Sequence, residues 1–439
     1  MATVATTRRI DAASWRALGA SWMGWMFDGY ETFALVLVAA TAVRQLVSAD
    51  QVDQIPLYIG ALLSVTLLGW ATGGVIAGIF ADYIGRKRML MISILWYAVF
   101  TGLTAVAPNF AVLLAARFLT GLGLGAEWGP GTALVAELWP PSWRGRAAAA
   151  LQSAFGFGFL LASGLWLVIG PLGPNAWRFM FLIGVAPALM LLWIRTGVQE
   201  PDMWADADER RRLARERAAR GEELRPEEHG LIRFTMHEVV ATPALRQRLI
   251  VLLLMSLSCV VGWWAVSSWI PLFAGQNAAR AGLEAQHWAA LTGLVYNLGM
   301  IVGYLAFGLL ADTWGRKPTT GLYYLGSFVM VVVLFQFVHD PGLLLVAAAV
   351  NGFFTSGIFA WMPIYLPELF PTHVRGSAIS LVFDSSRYLA AAGPLLAGWL
   401  ITALGGIGTA AVIFGSIYLL GLVLTPFAGP ETKGQPLPA

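Results

Sequence analysis

Six ionisable side chains stand in stretches that are otherwise apolar: Asp28, Glu31, Arg117, Glu127, Asp384 and Arg387. A charge in an apolar medium is costly, so such residues are kept for proton transfer, for ion binding or for pairing with one another. Asp28 and Glu31, in Trp25-Met26-Phe27-Asp28-Gly29-Tyr30-Glu31-Thr32, are three apart and share one face of a helix, where their carboxylates repel. Burial of two such groups favours a bound proton on one of them near neutral pH, and such a group can carry a proton. Arg117 is always charged and must find an anion, which Glu31 or Asp28 can supply. Asp384 and Arg387, again three apart, allow two readings. Either Arg387 grips a ligand carboxylate bidentately, or it pairs with Asp384 within one helix and Arg117 becomes the anchor.

Weaker candidates for lining a polar cavity are Tyr30, Gln152, Ser153, Trp263, Trp264, Tyr296, Asn297, Asn351 and Trp361. Aromatics in apolar helices more often pack than bind, whereas an Asn at the middle of a span, such as Asn297, has to be satisfied by a partner or by cavity water. Signals for other chemistry are missing. No G-x-x-x-x-G-K-[ST] segment exists, which speaks against ATP use, and nothing suggests an enzyme or a cofactor. The five histidines, His229, His237, His287, His339 and His373, are expected in loops without metal-ligand spacing. The single cysteine, Cys259, lies in an apolar run and reads as a buried, inert thiol.

The elements that must position these groups follow from composition. Of 439 residues, 58% are hydrophobic and 12% charged, which describes a membrane protein and excludes disordered and soluble multidomain classes. The net charge of +3 is spread out, with no basic stripe interleaved with aromatics, so nucleic acid is dropped as a partner. Six apolar runs precede a charged centre: about Leu18 to Ala42, Leu57 to Phe80, Met89 to Ala107, Phe110 to Leu138, Ala147 to Gly170 and Ala176 to Ile194. Six follow it: about Leu249 to Phe273, Trp288 to Ala311, Thr319 to Phe337, Leu343 to Tyr365, Ser377 to Leu400 and Ile407 to Phe427. Between them, Pro201 to Arg248 holds ten Arg and ten acidic residues in mixed order and reads as a solvated helical linker. With the N-terminus inside, 23 of the 28 Lys and Arg fall on the inner side, so both termini are expected to be cytoplasmic.

The chain also repeats itself. Gly78-Ile-Phe-Ala-Asp82-Tyr-Ile-Gly85-Arg86-Lys87-Arg88 returns in the second half as Gly308-Leu-Leu-Ala-Asp312-Thr-Trp-Gly315-Arg316-Lys317-Pro318. Glu137-Leu-Trp-Pro140 with Arg144-Gly145 returns as Glu368-Leu-Phe-Pro371 with Arg375-Gly376, and the two offsets differ by a single position. Two independent motifs at what is nearly one spacing make the halves repeats of six helices each. Physically, the glycines let helices approach closely, and the acids with the Arg cluster form charge pairs that can latch helix ends and must break and reform if the halves rock.

These repeated loops, together with Gly429-Pro430-Glu431-Thr432-Lys433-Gly434, resemble the major facilitator superfamily over essentially the whole chain. The resemblance implies an all-α membrane protein of twelve transmembrane helices in two repeats: a bundle at 1–195, a cytoplasmic linker at 196–248 and a bundle at 249–439. It also implies that the loop residues Gly78, Asp82, Gly85, Arg86, Arg88, Glu137, Arg144, Gly308, Asp312, Gly315, Arg316, Glu368 and Arg375 control conformational change. Arg117-Phe-Leu-Thr-Gly121-Leu-Gly123-Leu-Gly125 resembles the proton-coupling motif of superfamily symporters. Gly29-Tyr30-Glu31-Thr32 is similar to the Gly-Tyr-Asp-Thr of sugar porters, whose acid pairs with that arginine. Asp28-Gly29-Tyr30-Glu31 resembles the D-G-x-D of aromatic-acid and sialate symporters, with Glu in place of Asp, and Ala126-Glu127-Trp128-Gly129 resembles the G-E-W/Y-G of carboxylate symporters. The implied activity is proton-coupled symport of a small organic anion, a carboxylate, by a monomer in the inner or plasma membrane. Asp28, Glu31, Arg117 and Glu127 would couple protons; Arg387, Asp384, Tyr30, Gln152, Tyr296, Asn297 and Trp361 would bind substrate. A proton-coupled sugar or polyol porter, a nutrient-sensing receptor and a drug exporter are the competing readings.

Overall fold

The computed structural model describes residues 10–267, 269–392 and 406–438. Its first half is built from α1 (Ala12–Leu46), α2 (Ile55–Ile84), α3 (Arg86–Ala105), α4 (Phe110–Leu138), α5 (Arg144–Ile169) and a sixth span broken into α6 (Ala176–Ile183) and α7 (Met190–Gly197). Three short helices follow, α8 (Asp202–Ala219), α9 (Pro226–Ile232) and α10 (Thr235–Ala241). The second half comprises α11 (Pro243–Ser267), α12 (Ile270–Arg280), α13 (Ala285–Thr313), α14 (Arg316–Val332), α15 (Pro341–Thr355), α16 (Trp361–Leu369), α17 (Arg375–Ala390), α18 (Ile407–Gly415) and α19 (Ile417–Leu424). Among the described residues, eleven helical segments are long and apolar enough to cross a membrane. The expected eleventh span, Ser377 to Leu400, is seen as α17, and its remainder lies outside the described residues.

Local chemistry sets the helix ends. The side chains of Asp11, Asn109 and Asp340 accept from Ser14 N, Val112 N and Leu343 N and so start α1, α4 and α15. Gly85 and Gly315 end the loops before α3 and α14 at φ of 107° and 118°, values that disfavour any other residue. Pro187 and Pro271 accompany the interruptions of the sixth and seventh spans, and a 3-10 turn at Gly357–Ala360 separates α15 from α16. Exposed Leu167, Val168, Leu189, Leu192 and Phe337 face outward, as surface in contact with lipid requires.

Small residues bring the spans together. A Cβ at Gly69 or Gly73 would strike the backbone of Phe118 or Leu122, locking α2 to α4, and one at Gly299 or Gly303 would strike Ala349 or Phe353, locking α13 to α15. Between the halves, Gly78 meets Ser380 and Gly376 of α17, and Gly308 meets Ala149 and Gly145 of α5. The two crossings, α2 on α17 and α13 on α5, are mirror uses of the two repeats.

Three expectations need correcting. Several spans run past the apolar runs, because polar first and last turns extend them; α1 begins at Ala12, which puts Asp28 and Glu31 near the middle of its 35 residues. The histidines do not all lie in loops: His287 is in the first turns of α13, while His229 and His237 lie in α9 and α10. The linker is helical but not fully solvated. Arg211 on α8 is buried, with Nη1 donating to the Asp82 carbonyl at 2.7 Å and Nη2 to the His373 carbonyl at 2.9 Å, and the Trp204 indole also donates to the Asp82 carbonyl.

Candidate functional site

A cavity of about 50 Å³ lies between the halves among Trp25, Thr32, Leu67, Trp70, Gln152 and Phe155 of the first and Val260, Trp263, Trp264, Tyr304, Phe359, Phe383 and Arg387 of the second. Eight of these thirteen are aromatic. Arg387 is the cationic member. Its Nη1 donates to the Phe383 carbonyl at 2.8 Å and to Asp384 Oδ1 at 3.2 Å, and the guanidinium lies 4.0 Å from the Phe383 ring centroid and 4.8 Å from that of Trp70. Both readings of this arginine therefore meet at one place, since the intrahelical pair with Asp384 forms and Arg387 still lines the cavity. Gln152 is positioned by the Trp128 indole, which donates to its Oε1 at 3.0 Å while Trp128 stacks on Phe383 at 3.6 Å.

A second buried site lies beside α6. Arg117 Nη1 meets Glu31 Oε2 at 2.9 Å, with both side chains fully shielded, and the guanidinium sits 5.1 Å from the Phe181 ring. Of the two acids available to Arg117, the fold selects Glu31. Asp28 and Glu127 instead face one another's surroundings across α1 and α4: a Cβ at Gly24, one turn before Asp28, would overlap the Glu127 carboxylate. Both are buried, and among the described residues all four of their carboxylate oxygens lack a hydrogen-bond partner.

At the end of the bundle that carries the linker, the repeated loops form two matching networks. In one, Arg86 Nη1 meets Asp82 Oδ1 at 3.1 Å and Nη2 meets Glu137 Oε1 at 3.1 Å, while Arg375 from the other half reaches Glu137 Oε1 at 2.7 Å. Asp82 also accepts from the backbone of Gly376 and Ser377, at 2.9 Å each. In the other, Arg316 meets Asp312 at 2.9 Å and Glu368 at 2.8 Å, Arg144 crosses to Glu368 at 3.3 Å, and Asp312 accepts from Arg146 N at 3.1 Å. All ion pairs between the first-half and second-half spans among the described residues lie at this end, so this face is closed. Arg88 is exposed and stands outside the networks.

Other candidates are placed as follows. The Tyr30 hydroxyl donates to the Met180 carbonyl at 2.7 Å, which ties α1 to α6 away from the cavity. Tyr296 joins Ser267, Thr355 and Ser356 in a hydroxyl cluster at 2.7 to 3.0 Å, reached by the Trp263 indole. Asn297 is buried beside it on α13; Trp361 is fully buried in the core at the start of α16. Asn351 Oδ1 accepts from Thr355. Sequence reasoning did not single out Trp70, Phe155, Tyr304 and Phe383, because an aromatic on a span carries no mark of which face it takes. It also missed Glu200, which accepts from Arg86 N and Lys87 N as Glu431 accepts from Arg316 N and Lys317 N. Burial holds the Glu200 carboxyl above its ordinary value of 4.5 despite these donors. The signal was present: Glu200-Pro201 precedes Glu431-Thr432 by the same offset that separates Glu137 from Glu368.

A family model described as "Sugar (and other) transporter" matches residues 13–439. A putative metabolite transport protein of Haemophilus influenzae is 31% identical over 98% of this chain and 100% of its own length. A probable 4-methylmuconolactone transporter of Cupriavidus pinatubonensis is 30% identical over 94% of this chain and 90% of its own. In structure, a proton:xylose symporter bound to 6-bromo-6-deoxy-D-glucose superposes with a TM-score of 0.75, 20% identity and coverage of 97% of this chain and 98% of that one, a likeness of fold. The molecule is thus a multi-pass membrane transporter of the major facilitator fold. The chain belongs to the sugar (and other) transporter family of that superfamily.

Proposed function

We propose that the protein is a proton-coupled symporter of a small organic anion, a carboxylate with an unsaturated or aromatic body, moved by alternating access. The observation that carries this reading is Arg387 in a cavity whose walls are aromatic: a guanidinium grips a carboxylate in a low-dielectric site, and flat ring faces cover an apolar, planar body. The relative named for 4-methylmuconolactone supports an organic acid. A sugar or polyol would use Thr32, Gln152 and Tyr304 and would leave the guanidinium paired with Asp384 alone.

In this reading the halves 1–195 and 249–439 rock about the cavity, joined by 196–248, and the closed face with both termini is cytoplasmic. Glu31 is the proton carrier. While ionised it is held by Arg117; a proton from the outer side neutralises Glu31 and loosens that pair, and the substrate carboxylate relieves Arg387 of its dependence on Asp384. Only the doubly loaded carrier then changes conformation cheaply. The test is uptake into proteoliposomes with an acid exterior, using 4-hydroxybenzoate, lactate, sialic acid and xylose as probes. Concentrative uptake of an acid by the wild type, with Arg387→Ala reducing it 100-fold or more, on the order of 3 kcal/mol, supports the reading. Uptake of xylose alone, or Arg387→Ala at wild-type rate, refutes it.

A further inference from the structure

Arg387 belongs to a chain of flat groups drawn from both halves. Its guanidinium carbon lies 4.0 Å from the centroid of the Phe383 ring, one turn back on α17, and 4.8 Å from that of Trp70 on α2. Trp128 of α4 lies against the same Phe383 ring, with centroids 3.6 Å apart and planes 16° from parallel. Two groups at van der Waals distance cannot crowd onto one face of a ring, so Trp128 and Arg387 take opposite faces of Phe383. Contacts therefore run Trp70, Arg387, Phe383, Trp128: the inner two come from the second half and the outer two from the first. All four side chains are buried. Glycines let the helices come this close. A Cβ at Gly74, one turn after Trp70, would overlap the Asp384 carboxylate, and one at Gly129, next to Trp128, would strike Ser380 Oγ. The outer rings are themselves held in place. Trp128 Nε1 donates to Gln152 Oε1 at 3.0 Å, and Trp70 makes a T-shaped contact with Trp25 at 6.0 Å and 80°.

A guanidinium binds an anion through its N–H edge while its flat faces rest on π-systems, so the rings beside it decide where that edge points. Among the described residues, both hydrogen bonds of Arg387 leave from Nη1, to Asp384 and to the Phe383 carbonyl of its own helix. We propose that Trp70 and Trp128 are positioning residues for Arg387: a clamp from the first half that holds its guanidinium towards the cavity only while α17 lies against α2 and α4. Trp70 acts as a direct wall, and Trp128 acts through Phe383 by pinning the ring that supports the guanidinium. Parting of α17 from α2 and α4 removes both at once. Arg387 is then left with Asp384 and Phe383 of its own helix, and its grip on an anion weakens as the inner face opens. The clamp stands on this geometry alone; its part in release rests on the reading of Arg387 as the carboxylate anchor.

The test is the rate at which 2,3-butanedione, an arginine-specific dicarbonyl, modifies Arg387 in the full-length protein in liposomes, with no substrate present. Peptide mass spectrometry reads the modification, and Arg117, buried outside the clamp, is the internal standard. Trp70→Leu and Trp128→Leu should each raise the rate at Arg387 about tenfold or more with Arg117 unchanged. Trp128→Phe, which keeps a ring on Phe383, should stay close to the wild-type rate. An unchanged rate in either leucine variant overturns the clamp, and so does an equal rise at Arg117, which would report a loosened bundle. Should the leucine variants fail to fold, Phe383→Leu removes the link from α17 itself and must give the same rise. Because no substrate is present, a failure of carboxylate uptake in the transport assay leaves these rates untouched, so a failed clamp and a failed symport reading are told apart.

Discussion

At the level of single residues the account turns on which acid each arginine holds. Glu31→Gln removes the one anion that Arg117 touches among the described residues, and it keeps the shape. The expected result is exchange of substrate across the membrane at a substantial rate, with proton-driven accumulation lost; concentrative uptake by the variant would remove Glu31 from coupling. Asp384→Asn should raise the apparent affinity for a carboxylate about tenfold, on the order of 1.4 kcal/mol, because Arg387 loses its resident competitor; an unchanged or weaker affinity, read from substrate-dependent tryptophan quenching, would contradict this. Much at this scale was legible. A charge in an apolar run identifies itself, and the i, i+3 spacing offered the Asp384–Arg387 pair as one of two readings, a pair the fold contains. Helix spacing alone left Arg117 a choice between Glu31 and Asp28, which lie on one face; the resemblance of Gly29-Tyr30-Glu31-Thr32 to the sugar-porter motif pointed to Glu31, and the fold makes that pair, with Phe181 of α6 against the guanidinium.

Helices and loops set the next scale. Glu137 serves both Arg86 and Arg375, so Glu137→Gln leaves two buried guanidinium groups short of charge across the closed face. Breaking a buried pair costs about 3–5 kcal/mol, so this face should open. Maleimide labelling of a cysteine placed at Ser380, which packs against Gly78 and Gly129, should rise at least tenfold in the variant; equal labelling would mean the network is ornamental to gating. His373 gives the same face a pH response. Burial, and secondarily Arg211, lowers it from 6.5 to about 4, with Glu238, Arg210 and Arg375 also facing it. The sign follows from linkage: an opened or unfolded chain binds the proton first, so this contribution is complete above about pH 6.5 and is lost as pH falls towards 4. Thermal unfolding followed by tryptophan emission between pH 7 and 4.5 should show His373→Gln to be less acid-sensitive than the wild type, and parallel curves would refute it. The sequence carried these loops almost completely, because repetition at nearly one offset marks each of them twice. It concealed the burial of Arg211, whose run of charges has the composition of a solvated helix while its backbone acceptors, Asp82 and His373, lie far away in the chain.

Over the whole molecule, the two repeats place matching glycine crossings and matching ion networks at one end and an aromatic cavity with a single lining arginine between the halves. The most direct test of proton–carboxylate symport is external pH in a lightly buffered suspension of de-energised cells making this protein, recorded as aromatic acids, hydroxy acids, sialic acid and sugars are added in turn. Alkalinisation on adding an acid, absent in control cells and in cells making Glu31→Gln, is the predicted result. A signal from a sugar alone, or from no acid while labelled acid still enters, would contradict it.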